Sequence, residues 1–147
     1  FRRVLFRSAD DIEDTSNIFT IGQSWSDLAD NAPAAPTNSP NYSVDTKRPT
    51  VAISIADNAL KAGDSTLVSF TFSEDVQNFS LDDISSSPNG FFGPLSNKIN
   101  NGDGTFSYSA TFSPADDIED TSNIFTIGQS WSDLADNAPA APTNSPN

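Results

Sequence analysis

TLVSFTFS, residues 66–73, decides the fold class. Val68, Phe70 and Phe72 take alternate positions, and Ser69, Thr71 and Ser73 alternate with them. A period of two built from β-branched and aromatic residues marks a strand with one buried face, because successive side chains leave a strand on opposite sides. TVAISIA (50–56) repeats the pattern with Val51, Ile53 and Ile55, and TFSYSATFS (105–113) with Phe106, Tyr108, Ala110 and Phe112. NIFTIG (123–128) and NYSVD (41–45) read as shorter strands. VQNFSLDDISS (76–86) reads as a middle strand and its successor, with Val76, Phe79, Leu81 and Ile84 in the core. Turn signals separate these runs at AGDS (62–65), SPNG (87–90), NNGDG (100–104) and PADD (114–117). No segment carries a helical face, so the chain is expected to be all-β.

Self-similarity sets the domain plan. ADDIEDTSNIFTIGQSWSDLADNAPAAPTNSPN fills residues 9–41 and recurs unchanged at 115–147, an offset of 106 residues. That period exceeds those of helical and leucine-rich solenoids and suits a sandwich module of about 100 residues. About seven short antiparallel strands at this spacing, in Greek-key order, read as an immunoglobulin-like β-sandwich. The expected plan is the tail of one module at 9–46 and a second module at 47–147 that lacks its last strand. A segment duplicated in sequence assembly would produce the same identity. The truncated module would expose a strand edge, and the 9–46 remnant carries a copy of the strand that is missing.

Residues 1–8, FRRVLFRS, fall outside the repeat. The two copies agree from Ala9 onward but are preceded by VLFRS in one case and ATFSP in the other. TTCAGACGTGTGCTCTTCCGATCT encodes FRRVLFRS codon for codon and resembles a short-read sequencing adapter. The eight residues are therefore expected to be translated adapter, and the chain, which begins with Phe and has no Met, to be a fragment.

Charge and inventory remove several functions. Acids outnumber bases 20 to 7, and three of those bases are Arg2, Arg3 and Arg7, which leaves residues 9–147 near −16. Nucleic acid is an unsuitable partner for such a surface, because its phosphates need Lys and Arg to replace their counterions. Hard cations suit it. With no Cys and no His, soft-metal sites, thiol chemistry and Ser–His triads are excluded. No apolar run approaches the ~20 residues of a membrane-spanning helix, so direct membrane insertion is not expected.

Taken together, TVAISIADNALKAGDSTLVSFTFSEDVQNFSLDDI (50–84), GDGTFSYSATFSP (102–114), IFTIGQSWSDLADN (124–137) and YSVDTKRPT (42–50) resemble the Ig-like repeats of giant bacterial surface adhesins of the Bap and RTX types. The resemblance covers residues 9–147. One position departs from the family's D.AGN element, which here reads Asp133-Leu134-Ala135-Asp136-Asn137, with Asp in the place of Gly. Glycine serves where the backbone needs positive φ, and Asp tolerates that conformation less well. The resemblance implies a non-catalytic extender module on the bacterial cell surface, stacked against neighbouring repeats of the same chain. It also implies Ca²⁺ at the joints, stiffening an array that serves adhesion and biofilm formation.

The residues bear on calcium independently. In such a sandwich the second-to-third and sixth-to-seventh strand loops share the module's N-terminal end, which would gather Glu74, Asp75, Asp133, Asp136 and Asn137 near the joint residue Asp45. At the other end lie Asp57, Asp64 and the cluster Asp116, Asp117, Glu119 and Asp120, facing a following joint. Ca²⁺ takes six to eight oxygen ligands in flexible geometry, so both ends are candidate sites. The plainer reading is that Asp and Asn populate turns for backbone reasons. NGDGT (101–105) is a hairpin turn and not an EF-hand, because position twelve, where that loop needs Glu, is Phe112.

Trp131 and its copy Trp25 are candidate sugar-stacking platforms, although an aromatic at this place more often closes the end of a sandwich. The Pro-rich NAPAAPTNSPN (137–147) reads as an extended loop before the closing strand. Against the extender stands a glycan- or protein-binding module of a secreted protein. An enzyme is not expected, since adjacent carboxylates such as Asp116 and Asp117 on a surface loop lack opposed geometry and a cleft.

Overall fold

The computed structural model describes residues 9–85 and 89–147. FRRVLFRS and residues 86–88, which include Ser87 and Pro88 of the expected SPNG turn, lie outside the described residues. Two compact units meet between Lys47 and Arg48. Among the described residues there is no α-helix.

The N-terminal unit is a long hairpin of β1 (Glu13–Asn17), β2 (Thr20–Ile21), β3 (Thr37–Asn38) and β4 (Tyr42–Asp45). β1 pairs antiparallel with β4, with Glu13 opposite Asp45 and Asn17 opposite Tyr42, and β2 pairs with β3. Tyr42 stacks on Phe19 at 4.9 Å.

The second unit runs through β5 (Val51–Ile55), β6 (Thr66–Phe72), β7 (Val76–Gln77), β8 (Ile84–Ser85), β9 (Gly90–Phe92), β10 (Ile99–Asn100), β11 (Phe106–Pro114), β12 (Thr126–Ile127), β13 (Ser132–Asp133) and β14 (Thr143–Asn144). One sheet has the order β10-β11-β6-β5, with β9 also on β11. A second has the order β14-β12-β8, and β13 pairs with β7 alongside it. All pairings are antiparallel. β9 and β10 pair with successive stretches of β11, so the five strands of the first sheet fill four positions, facing the three of β14-β12-β8, as in an immunoglobulin-like sandwich.

Alternation places the core. Ile53 and Tyr108 both pair with Phe70, and Val51 and Phe106 both pair with Phe72, so the inward faces of β5, β6 and β11 are in step. The opposite layer contributes Val76, Phe79, Ile84, Phe125, Ile127 and Trp131 to the same buried cluster. Edge-on aromatic pairs join the layers: Phe72 meets Phe79 at 4.8 Å and Trp131 at 4.9 Å, and Phe112 meets Phe125 at 4.9 Å. Such contacts add about 0.5–1.5 kcal/mol each beyond the burial of area.

Two expectations need correction. The middle strand is interrupted: Ser80 caps a 3₁₀ turn at Leu81–Asp83, its hydroxyl accepting from Asp82 N at 3.2 Å while the Asp83 carboxylate accepts from Ser80 N at 2.8 Å. This reciprocal capping ends β7 early and sets Ile84 back into the core. In addition, the Pro-rich tail is not wholly loop. β14 lies within it and pairs with β12, as β3 pairs with β2 in the N-terminal unit.

Candidate functional site

The end of the second unit nearest its first strand carries the denser chemistry. FSED follows β6 and WSDLADN spans β13 and the loop after it, and the topology brings these loops together as expected. A carboxylate oxygen of Glu74 lies within 4.8 Å of one from Asp133. Asp133 is fully buried. Its Oδ1 accepts from the backbone N–H groups of Ala135 and Asn137, both at 2.8 Å, and its Oδ2 from Asn137 Nδ2 at 2.8 Å. Asp136, the residue standing where the family pattern has Gly, adopts φ of 66°. Gln77 ties the loop to the sheet, donating to Asp133 O at 2.9 Å and to Asp136 Oδ1 at 2.8 Å.

Asp133 therefore organises its own loop. The same loop in the N-terminal unit shows this directly, because its sequence is identical and its hydrogen bonds recur. Asp27 Oδ1 accepts from Ala29 N at 2.8 Å and Asn31 N at 2.9 Å, and Asp30 adopts φ of 64°. The Asn31 side chain, then the backbone N–H groups of Asn31 and Ala29, hold the Asp27 carboxyl below its ordinary value. Asp133 Oδ1 spends both lone pairs on two of its hydrogen bonds, whereas Oδ2 accepts one and keeps one lone pair for a cation.

The other expected ligands at this end are engaged differently. Asp75 forms an ion pair with Lys98, and that hydrogen bond is the main reason the ammonium titrates above its ordinary value. Lys98 also lies 5.6 Å from the centre of the Phe106 ring. Asp45 belongs to the N-terminal unit, as the last residue of β4, and accepts from Lys47 N at 3.2 Å. Sequence reading missed Lys98 and Gln77. Lys98 had a signal, being one of only four bases after residue 8.

At the far end, Asp116, Asp117, Glu119 and Asp120 are exposed, and among the described residues they form no group of three carboxylates close enough to share an ion. Asp120 accepts from Asn89 Nδ2 at 2.8 Å and from Ser122 N at 2.9 Å. Asp117 adopts φ of 59° in a turn. Asp64 pairs with Lys61 at 2.9 Å.

Trp131 takes the packing role of the two readings and not the sugar-stacking one. The side chain is 1% exposed, and its ring N–H donates to Gly128 O at 2.9 Å, so it packs in the core and offers no face to a sugar. Trp25, its identical copy, is 56% exposed although it makes the same bond, to Gly22 O at 3.0 Å.

Residues 45–147 match the family model of the bacterial Ig-like domain. The chain belongs to that family. No curated protein and no solved structure matches it. The bacterial Ig-like module spans the entire second unit and takes in Asp45 and the joint sequence after it. Among the described residues, no helix is long and apolar enough to cross a membrane.

Proposed function

We propose that the chain is a piece of a tandem array of bacterial Ig-like modules that acts as a non-catalytic extender in a secreted, surface-anchored adhesin and supports cell adhesion and biofilm formation. The observation that carries this reading is the identical 33-residue segment standing 106 residues apart, with a family module occupying the interval. An array built this way draws much of its stability from nearest neighbours. Its partners are the neighbouring repeats, with glycans or proteins met by other parts of the adhesin.

Calcium is the proposed stiffener. Glu74 and Asp133 supply hard oxygen donors close enough to share one ion, which fits Ca²⁺ and is short of the six to eight ligands it takes. Asp45, Asp136 and Asn137 are the proposed further ligands at this joint. Asp75, held by Lys98 through one oxygen, is a further proposed ligand through its other. Asp116, Asp117, Glu119 and Asp120 are assigned to the following joint, completed by the next module. Bound there, the ion would neutralise clustered carboxylates and restrain a short, Pro-containing linker.

The test is thermal unfolding and small-angle X-ray scattering of a two-module polypeptide, with Ca²⁺ and with chelator. Calcium should raise Tm and lengthen the maximum dimension, and Glu74→Gln should remove both effects. Unchanged Tm and dimension would overturn the calcium reading. The glycan-binding alternative loses its best residue with the burial of Trp131.

A further inference from the structure

The outer face of the β10-β11-β6-β5 sheet differs from the rest of this acidic chain. No residue of β5, β6, β9, β10 or β11 is charged, although the chain carries 20 acids and 7 bases. Inward positions must be apolar to fill the core, but outward positions face water and tolerate charge. Here the outward positions hold only Ser, Thr, Ala and three large apolar residues, Leu67, Phe91 and Ile99, all exposed. Lys98, beside Ile99, is engaged by Asp75 and the Phe106 ring.

Register lays out this face, because directly opposed residues of paired strands point the same way. Ser54, Ser69 and Ser109 stand in one row across β5, β6 and β11. On one side of it runs a row of Ala52, Thr71, Ser107 and Ile99. On the other, Leu67 stands opposite Thr111, and beyond them Phe91 stands opposite Ser113. The short serines leave a furrow between bulkier rows. Two such sheets can stack at the ~10 Å spacing of packed sheets, with Leu67 of each copy seated on small side chains of the other. Charge selects the occupant. A basic partner would be drawn to the loop carboxylates and would find no counter-charge here. A second copy at −13 is repelled wherever carboxylates meet, but on this face neither copy has a charge to oppose the other or to be stripped of water.

We propose that this uncharged sheet face is a self-association surface, on which two copies of the chain pack outer face to outer face in a two-fold contact. Such a contact uses the same patch on both copies and closes as a dimer. The driving force is the apolar surface of Leu67, Phe91 and Ile99 that leaves water on both sides. Four strand positions about 4.8 Å apart, each about seven residues long, give roughly 350 Å² of face per copy. A stable interface takes about 800 Å² per partner, so this contact is weak and reversible. It depends neither on Ca²⁺ nor on the extender reading.

The test is sedimentation equilibrium of the whole chain, with chelator present so that no ion bridges carboxylates. A reversible dimer of the 15.7 kDa chain should appear as concentration rises to about 1 mM. Added salt should strengthen it, by screening the repulsion between two acidic chains, whereas a contact made of ion pairs would weaken. Ser69 lies near the middle of the face, so Ser69→Lys sets like charges against each other and should abolish the dimer, although it lowers the net negative charge. Ala140→Lys, the same change of charge in the loop between β13 and β14, should leave the dimer in place. Mixing Ser69→Lys with Ser69→Asp chains should restore association as a heterodimer, which also shows that both variants fold. Leu67→Ser should weaken the dimer about tenfold, and Leu134→Ser, equally exposed in a loop, should not. A chain still monomeric at the highest concentration, a dimer that dissolves in salt, or one indifferent to Ser69→Lys would each overturn the proposal.

Discussion

Removing the carboxylate of Asp133 should loosen the end of the module that faces the joint. In Asp133→Ala, three donors lose their acceptor: the backbone N–H groups of Ala135 and Asn137, and Asn137 Nδ2. At about 1 kcal/mol for each bond lost, the variant should unfold about 3 kcal/mol more easily. Asp133→Asn keeps one oxygen for the two backbone donors but turns its new amide nitrogen toward the amide of Asn137, at a cost of about 1–2 kcal/mol. Exchanging the pair, Asp133→Asn with Asn137→Asp, restores donor to acceptor and should recover at least half of that loss, a coupling that a double-mutant cycle reads directly. Urea unfolding followed by Trp131 fluorescence in a Trp25→Phe background gives the measurement. A loss under about 1 kcal/mol for Asp133→Ala, or a double variant no better than Asp133→Asn, would refute the reasoning.

The two tryptophans offer a matched comparison, since their local sequences are identical. Trp131→Ala should cost about 3–5 kcal/mol in denaturant unfolding, and Trp25→Ala should stay within about 0.5 kcal/mol. Gly90→Ala should lower stability by about 1–3 kcal/mol, because a Cβ there would run into the Phe112 ring and the Ser113 carbonyl. Thr105, through its hydroxyl and then its backbone N–H, holds the Asp103 carboxyl below its ordinary value of 3.8. A carboxyl lowered on folding contributes stability above its unfolded value and loses it as pH falls through the folded one. Carbon-detected NMR titration should therefore place Asp103 below 3.8, and Thr105→Val should raise it, since the hydroxyl is the larger cause.

Sequence legibility followed burial. β5, β6 and β11 were plain in the sequence because each sets one face on the core, and a half-buried strand must alternate. β9, β10, β13 and β14 are two or three residues long, too short to show a period, and were missed. The 3₁₀ turn did have a signal in Ser80 followed three residues later by Asp83, a capping-box spacing with Asp in place of Glu. The loop carboxylates were harder. An Asp that ties its own turn and an Asp that waits for a cation have the same sequence, and Asp133 is seen doing the first. Burial itself was unreadable in the duplicated segment: Ile127 is 0% exposed and Ile21 60%, because exposure depends on what lies opposite and not on the residue.

The turn that recurs around Asp27 and Asp133 bears on how the two identical segments avoid pairing with each other's strands during folding. Its bonds span four residues or fewer, so it can close on the timescale of local loop formation, ahead of any pairing between distant strands. Once closed, it favours pairing of the strands on either side of it with each other over pairing with the other copy of the segment. A hairpin fastened at its tip in this way has only its base left to register, so an exchange between the two identical segments would begin at the far end from the Asp turn.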